Sequence, residues 1–170
     1  MKNTNVDKNS RPYLEGRISS ARYSLLLVIL FTVVNLILLL TQSDRYFLFS
    51  ASVPYYLTAF GMGMDQGVGG SIFTVTALVI SALILAAYVI CWLQSKHHWI
   101  CTLIALCLFA IDTILLVLIV INLDLLRDNI LDLLFHAWAV TELTRAVIAQ
   151  RKLQAMPVEL EEDPAADPIE

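Results

Sequence analysis

The chain has 170 residues, of which 58% are hydrophobic, and its formal net charge is −4. Soluble domains are about 45–50% apolar, so this composition is typical of a membrane protein rather than a soluble one. The acidic balance is unlike that of a nucleic-acid-binding protein, and we expect no nucleic-acid partner.

Four stretches of about 19–24 residues have the length that an α-helix needs to cross about 30 Å of hydrocarbon. They cover approximately residues 21–41, 71–93, 99–122 and 130–148. The first three are strongly apolar, whereas the fourth contains several charged residues. We therefore predict an all-α fold, a polytopic transmembrane helical bundle of four spans within residues 20–152.

The N-terminal part of the chain contains one polar segment and one isolated amide of interest. Residues 1–19 are polar and predict a mobile N-terminus ahead of the first span. Asn35 lies inside that span. An amide that faces lipid has no hydrogen-bond partner, so we expect Asn35 to face another helix.

An unusual segment follows the first span. Residues 46–60 are apolar and aromatic, but about 15 residues are too few to cross a membrane. Pro54 interrupts the segment, and its tyrosines are typical of membrane–water interfaces. Two placements are predicted: an interfacial element on the extracytoplasmic surface, or a re-entrant element shielded by the bundle. The glycines between residues 61 and 70 predict a flexible hinge.

The second span has a feature typical of helix–helix contacts. Ala82 and Ala86 have the small-xxx-small spacing that lets another helix approach closely. The short turn at residues 94–98 makes the second and third spans antiparallel neighbours.

The cysteines do not predict a disulfide or a metal site. Cys91, Cys101 and Cys107 lie in predicted membrane helices, near or inside the cytoplasmic half, where thiols stay reduced. Cys91 and Cys101 flank His97 and His98, but the spacing matches no standard metal motif. We predict neither a metal nor a cofactor.

Ionisable residues inside the third and fourth spans form the candidate polar site. Asp112 lies near the centre of the third span, where an isolated carboxylate costs about 2.5–3.5 kcal/mol on insertion scales. In the fourth span, Asp132 and His136 are neighbours on one helix face at a spacing of four. Glu142 and Arg145, at a spacing of three, can form a local ion pair. The candidate site comprises Asn35, Asp112, Asp132, His136, Glu142 and Arg145.

A stripe of small and ionisable residues runs along the fourth predicted helix. It consists of Asp128, Asp132, Ala139 and Ala146. His136 flanks the stripe on one side and Glu142 on the other, so this face is predicted to meet another helix or water.

Three interpretations of these polar residues compete. In the first, Asp112 pairs with His136 or Arg145, and the network sets the register of the helices. In the second, Asp112, His136 and Glu142 handle protons or cations. In the third, residues 130–150 form an amphipathic helix lying flat on the cytoplasmic face, which leaves three spans.

Positive charge is distributed unevenly between the two ends of the predicted bundle. About nine Lys and Arg residues flank the spans on the side of the termini, whereas Arg45 and Arg127 lie in the opposite loops. The positive-inside rule therefore predicts that both termini are cytoplasmic. The acidic segment 153–170 is then a cytoplasmic tail, which its composition predicts to be disordered.

Two stretches carry a family resemblance. The run FTVVNLILLLT, with Val34-Asn35, and the block YFLFSASVPYYLTAFG, with Pro54-Tyr55-Tyr56, resemble segments of uncharacterised small four-helix integral membrane proteins of clostridial-type bacteria. The resemblance covers mainly residues 20–61. It implies a multi-pass protein of a bacterial cytoplasmic (inner) membrane and assigns no activity.

No motif in the chain predicts enzyme chemistry. A nucleophile elbow, a Cys-x-x-Cys pair and an H-E-x-x-H helix are all absent from the sequence. We predict a small non-enzymatic integral membrane protein that acts as an oligomer or as a subunit or partner of another membrane protein. The alternative is a proton- or cation-linked transporter or channel. An intramembrane enzyme with Asp112 and His136 as acid and base is the least favoured.

Overall fold

The computed structural model describes residues 7–43 and 45–156, and five α-helices lie within them. The helices are α1 (Arg11–Leu40), α2 (Ser52–Val68), α3 (Ile72–Gln94), α4 (Trp99–Asn122) and α5 (Leu126–Ala155). The described residues contain no strand, so the predicted all-α fold class is confirmed over that part of the chain.

Three of these helices have the character of membrane spans. Among the described residues, α1, α3 and α4 are long and apolar enough to cross a membrane, and they match the first three predicted spans. Helix α5 is a 30-residue helix packed against α1 and α4, but charged residues interrupt its apolar sequence. The three apolar helices indicate a membrane protein.

The outer surface supports the same conclusion. Large apolar side chains cover the outside of α3 and α4: Leu83 is 66% exposed, Ile90 is 58% exposed and Ile114 is 60% exposed. A soluble monomer rarely exposes an apolar surface this continuous, whereas a bilayer provides an apolar environment for it.

Helix α5 lies against both α1 and α4, and α2 forms an antiparallel pair with α3. Small residues at the centre let the helices approach closely; Ala105, Ala139 and Ala146 are at most 2% exposed. The predicted stripe on α5 is therefore part of its buried face, since Asp132 is also buried. The side chain of Asp128 lies outside the described residues.

The structure corrects the predicted N-terminus. Helix α1 begins at Arg11, so residues 11–19 are helical rather than a mobile segment. Pro12 suits the first turn of a helix, where its missing N–H is not needed. Leu14 is buried and Arg17 pairs with Glu142 of α5, which extends the packing beyond the predicted span. Residues 1–6 lie outside the described residues.

The predicted hinge between residues 61 and 70 is also wrong over residues 61–68, because α2 continues to Val68. Gly61 is helical and serves close packing: a Cβ atom there would lie 2.8 Å from the backbone oxygen of Phe73 in α3. The chain turns instead at Gly69, whose φ of 73° is a left-handed conformation that glycine adopts without strain.

At the other end, α5 begins before the predicted fourth span and continues past residue 148 to Ala155. The first residues of the predicted disordered tail, 153–155, are thus helical. The rest of that tail, from residue 157 onward, lies outside the described residues.

Candidate functional site

The chain between α1 and α2 turns back into the bundle. Asn35 of α1 donates from Nδ2 to the backbone oxygen of Phe47 at 2.7 Å and to Ser50 Oγ at 2.8 Å. Its Oδ1 accepts the N–H of Phe47 at 2.8 Å. Thr32 Oγ1 accepts the N–H of Ala51 at 2.8 Å. Because Thr32 lies about 12 Å along the helix from the end of α1, helix α2 begins inside the bundle.

Asp112 of α4 caps the buried start of α2. Its Oδ2 accepts the N–H of Ser52 at 2.9 Å, and its Oδ1 accepts the N–H of Val53 at 2.8 Å. Helix α2 has Ala51 at its N-cap position and no side-chain cap of its own. A carboxylate at a helix N-terminus satisfies free N–H groups and interacts favourably with the helix dipole. Asp112 therefore supplies the missing cap from another helix.

His136 of α5 completes this contact. Its Nε2 lies 3.1 Å from Oδ2 of Asp112, and its Nδ1 lies 2.8 Å from the backbone oxygen of Asp132. The ring stacks on Phe109 with centroids 4.9 Å apart, and the side chain is fully buried. The interaction joins α5 to both α4 and the start of α2.

The partners of His136 restrict where its protons lie. A backbone carbonyl oxygen only accepts, so Nδ1 carries a hydrogen. At 3.1 Å, the contact between Nε2 and Asp112 also needs a hydrogen, carried by the imidazole or by the carboxyl group. Both forms give the pair a net charge of zero. The pair is thus buried without an uncompensated charge, which would be costly in a low-dielectric interior.

Asp132 forms the outer edge of the same cluster. Its Oδ2 accepts a hydrogen bond from Tyr46 Oη at 3.3 Å, and Tyr46 also contacts Ser50 Oγ at 3.1 Å. Its Oδ1 lies 3.7 Å from His136 Nδ1 and has no hydrogen-bond partner among the described residues. Since Asp132 is 1% exposed, this oxygen is the least satisfied polar atom of the cluster.

Glu142 and Arg145 belong to a different cluster, nearer the chain termini. Glu142 Oε1 accepts hydrogen bonds from Arg17 and from Arg145, both at 3.2 Å. Glu142 lies about 9 Å along α5 from His136, at about 1.5 Å per residue. The structure thus joins Asn35, Asp112, Asp132 and His136 through the segment that precedes α2, and it places Glu142 and Arg145 apart from them.

A second carboxylate that sequence reasoning missed repeats the capping arrangement. Asp65 of α2 accepts the N–H of Phe73 at 3.1 Å and of Thr74 at 2.8 Å, at the start of α3. Burial raises the pKa of the Asp65 carboxyl, but hydrogen bonds from Thr74 and Phe73 outweigh that effect. The pKa therefore lies below its ordinary value of 3.8.

Sequence reasoning also missed the role of Ser52, whose backbone N–H is bound by Asp112 at the start of α2. Pro54 in the first turn of α2 was the available signal, since proline is common where helices begin. It indicates where the helix starts, but it does not indicate which residue of another helix will cap it.

The cluster has the elements of a serine–histidine–aspartate arrangement, but its serine and histidine side chains are buried. Ser52 Oγ lies 3.4 Å from His136 Nε2, farther than the Asp112 oxygen that contacts the same nitrogen. Ser52 and His136 are both fully buried. Within the described residues, no group of three His, Cys, Asp or Glu side chains could hold a metal ion.

No protein-family model matches this chain, and no curated protein and no solved structure is significantly similar to it.

Proposed function

We propose that the protein is a non-enzymatic, multi-pass protein of a bacterial cytoplasmic membrane that acts as an oligomer or as a subunit of another membrane protein. In this proposal α1, α3, α4 and α5 are four spans and both termini are cytoplasmic. The resemblance of residues 20–61 to clostridial-type membrane proteins supports the location, and the distribution of cations supports the topology.

The orientation of α5 supports its assignment as the fourth span. Its ionisable residues Asp132, His136 and Glu142 are buried against the bundle. Its outer face presents Leu131 and Leu134, which are 60% and 61% exposed. A helix lying flat on a membrane would turn its polar face to water instead. Buried ionisable side chains together with exposed Leu131 and Leu134 suit a helix whose outer face meets lipid.

Helix α2 is proposed as a re-entrant helix that shares the membrane with these spans. It begins beside Thr32 and Asp112, both inside the bundle, and ends at the turn before α3. Its first N–H groups are satisfied by protein, which is the condition for non-spanning backbone at membrane depth.

The polar cluster holds helices together, and this observation is the main support for a function other than transport. Asp112, Asp132 and His136 are 3%, 1% and 0% exposed, respectively. Their contacts hold the start of α2 against α4 and α5. A cavity between α1 and α5 and another beside Val53 and Leu115 are lined by other side chains. A transport site must exchange ions with water, whereas the side chains of this cluster are buried and bonded to the protein.

The surface of α3 supports association with another chain. In this 23-residue helix the buried residues are Ala77, Ser81, Tyr88 and Cys91. Ala82 and Ala86 are exposed on its outer side. Small residues at this spacing allow two helices in a membrane to pack closely.

Proton- or cation-linked transport remains the second candidate because of two observations. The unpartnered Oδ1 of Asp132 is an acceptor next to His136. The Asp112–His136 pair holds a proton between two titratable groups. Opening of the bundle at α2 would expose this pair to water.

Proteoliposomes distinguish the two candidates. For a structural cluster, Asp112→Asn lowers the midpoint of thermal unfolding, because the amide cannot accept both N–H groups of α2; the unsatisfied donor costs about 1–3 kcal/mol. Vesicles that contain the wild-type protein then show no larger proton or Na⁺ flux than vesicles without protein. Asp124→Asn is the control, since Asp124 is exposed and its φ of 54° suits asparagine. A flux that Asp112→Asn abolishes while the protein stays folded would establish transport instead.

Counting subunits by single-molecule photobleaching in lipid bilayers tests association. Several bleaching steps per spot are expected, and Ala82→Leu should reduce them by obstructing the close approach of another helix. Cys107→Leu, at an exposed position on α4, should leave the count unchanged. Single steps at every lipid dilution, with no protein crosslinked to the chain in native membranes, would contradict the proposal.

A further inference from the structure

A basic cavity lies between the N-terminal end of α1 and the C-terminal half of α5. Its volume is about 390 Å³, within the range of about 300–1,000 Å³ common for small-ligand sites. Four of its eight lining residues are cationic and none is acidic. The cations are Lys8, Arg17, Arg145 and Lys152.

The convergence of these cations needs an explanation beyond membrane topology. The positive-inside rule depends on how many cations lie on one side, and it does not require them to share one cavity. Lys8 and Arg17 come from the start of the chain, whereas Arg145 and Lys152 come from near its end. Like charges held together repel each other, so the arrangement favours a bound anion.

Three of the four cations, Arg17, Arg145 and Lys152, are also held in place by contacts with the protein. Arg17 and Arg145 both bind Oε1 of Glu142, whose side chain is 8% exposed. Lys152 Nζ donates to Oδ1 of Asn9 at 3.1 Å. Each guanidinium has five N–H donors, so one contact to Glu142 leaves others available. One carboxylate does not neutralise two arginines and two lysines.

We propose that the basic cavity binds a phosphate group, carried by the headgroup of an anionic phospholipid or by a small soluble phosphate. Guanidinium groups match phosphate oxygens in paired hydrogen bonds, and lysines add charge. Tyr13 also lines the cavity and carries a hydroxyl group that can donate a hydrogen bond. In the proposed four-span topology, on which the lipid source rests, the cavity faces the headgroups of the cytoplasmic leaflet. The phosphate chemistry itself does not depend on that topology.

The test measures thermal unfolding of the full chain in a neutral detergent at constant ionic strength. The probes are dihexanoyl-phosphatidylglycerol, dihexanoyl-phosphatidylcholine, glycerol 1-phosphate and inorganic phosphate. The test variant is Lys8→Gln/Lys152→Gln, which leaves the Glu142 pairs intact. The matched control is Lys96→Gln/Arg151→Gln, which removes two cations that do not line the cavity.

The proposal expects phosphatidylglycerol to raise the unfolding midpoint more than phosphatidylcholine does. The test variant should weaken the apparent affinity about 10- to 30-fold, because it removes two cations that would contact the phosphate group. The control should change it less than about 2-fold. If glycerol 1-phosphate or inorganic phosphate also raises the unfolding midpoint, and the test variant but not the control weakens its binding, the ligand is a soluble phosphate.

Two results would overturn the proposal: no phosphate compound shifts the midpoint, or both double variants lose binding equally. Because the readout is binding in detergent, it stays separate from the flux and subunit-counting results. The proposed function and this site can therefore fail independently.

Discussion

At the scale of single residues, two carboxylates cap helices to which they do not belong. Asp112 of α4 binds the first N–H groups of α2, and Asp65 of α2 binds those of α3. Neither α2 nor α3 has a side-chain cap at its own N-cap residue. Unsatisfied N–H groups are costly where water is scarce, so each cap links one helix to the next.

The surroundings of the two carboxylates differ because their positions differ. Asp112 contacts an imidazole that shares a proton with it, which keeps the buried pair neutral. Asp65 lies near the turn between α2 and α3 and is held by backbone N–H groups. Asp112, inside the bundle, therefore has a titratable partner in His136. Asp65 is bound instead by the backbone N–H groups at the start of α3.

The pH dependence of stability should reveal the Asp65 cap. Because the pKa of Asp65 is depressed in the folded state, its contribution to stability is complete above the ordinary value of 3.8. That contribution is lost as the pH falls through the lower, folded-state pKa. The stability difference between wild type and Asp65→Asn should thus be constant above about pH 5 and decrease below about pH 4. Unfolding midpoints of both proteins across this range provide the measurement, and a difference that grows on acidification would contradict the cap.

At the scale of elements, helix α2 is held on several sides. It packs along α3, its start is capped by α4, and the segment before it is bound by Asn35 and Thr32 of α1. Helices α2 and α3 approach closely at Gly61, where the backbone of Phe73 leaves no room for a side chain. A glycine inside a helix is therefore retained for packing at this position.

Gly61→Ala and Gly63→Ala make a matched pair within α2. A Cβ atom at Gly61 would lie 2.8 Å from the oxygen and 3.0 Å from the carbon of the Phe73 carbonyl group, so α2 and α3 must separate. Gly63 has no such neighbour within 4 Å. We expect Gly61→Ala to destabilise the protein, while Gly63→Ala stabilises it by about 0.5–1 kcal/mol through helix propensity. Thermal unfolding in detergent compares them, and equal effects would argue against the close helix contact.

At the scale of the whole molecule, Asp132, His136 and Glu142 of α5 face inward, whereas Leu131 and Leu134 face outward. A helix lying on a membrane surface would turn its polar face to water instead. Glu142 pairs with Arg17 of α1, and His136 contacts Asp112 of α4. The charged residues that lower the mean hydropathy of α5 thus include some that the bundle buries.

Cysteine labelling tests the number of spans in a chain without its native cysteines. With four spans, Gln154→Cys should react with an impermeant maleimide only after cells are permeabilised, because both termini are cytoplasmic. With three spans and α5 on the cytoplasmic face, Gln154→Cys stays protected, but the ends of the spans exchange sides. Leu123→Cys would then be protected and His97→Cys would react in intact cells, whereas four spans give the opposite result for both positions. Labelling of His97→Cys with protection of Leu123→Cys in intact cells would exclude the four-span topology.

Sequence reasoning reached part of the candidate site. Asn35, Asp112 and the face of α5 that carries Asp132 and His136 were identified, because polar residues are conspicuous in an apolar sequence. The start of α2 at Ser52 was not identified as the group that Asp112 binds. The position of Glu142 with Arg17 was also missed, since it requires α1 to extend well before the predicted span.

The sequence by itself determined the all-α class, the positions of α3 and α4 and the apolar part of α1. Each long apolar run satisfies its own backbone hydrogen bonds as a helix, so these elements follow from local composition. Only the tertiary structure decided that Asp112 caps α2 and contacts His136, rather than Arg145. That choice depends on the depth and rotation of four helices relative to one another, which are set by side-chain packing between residues far apart in the chain.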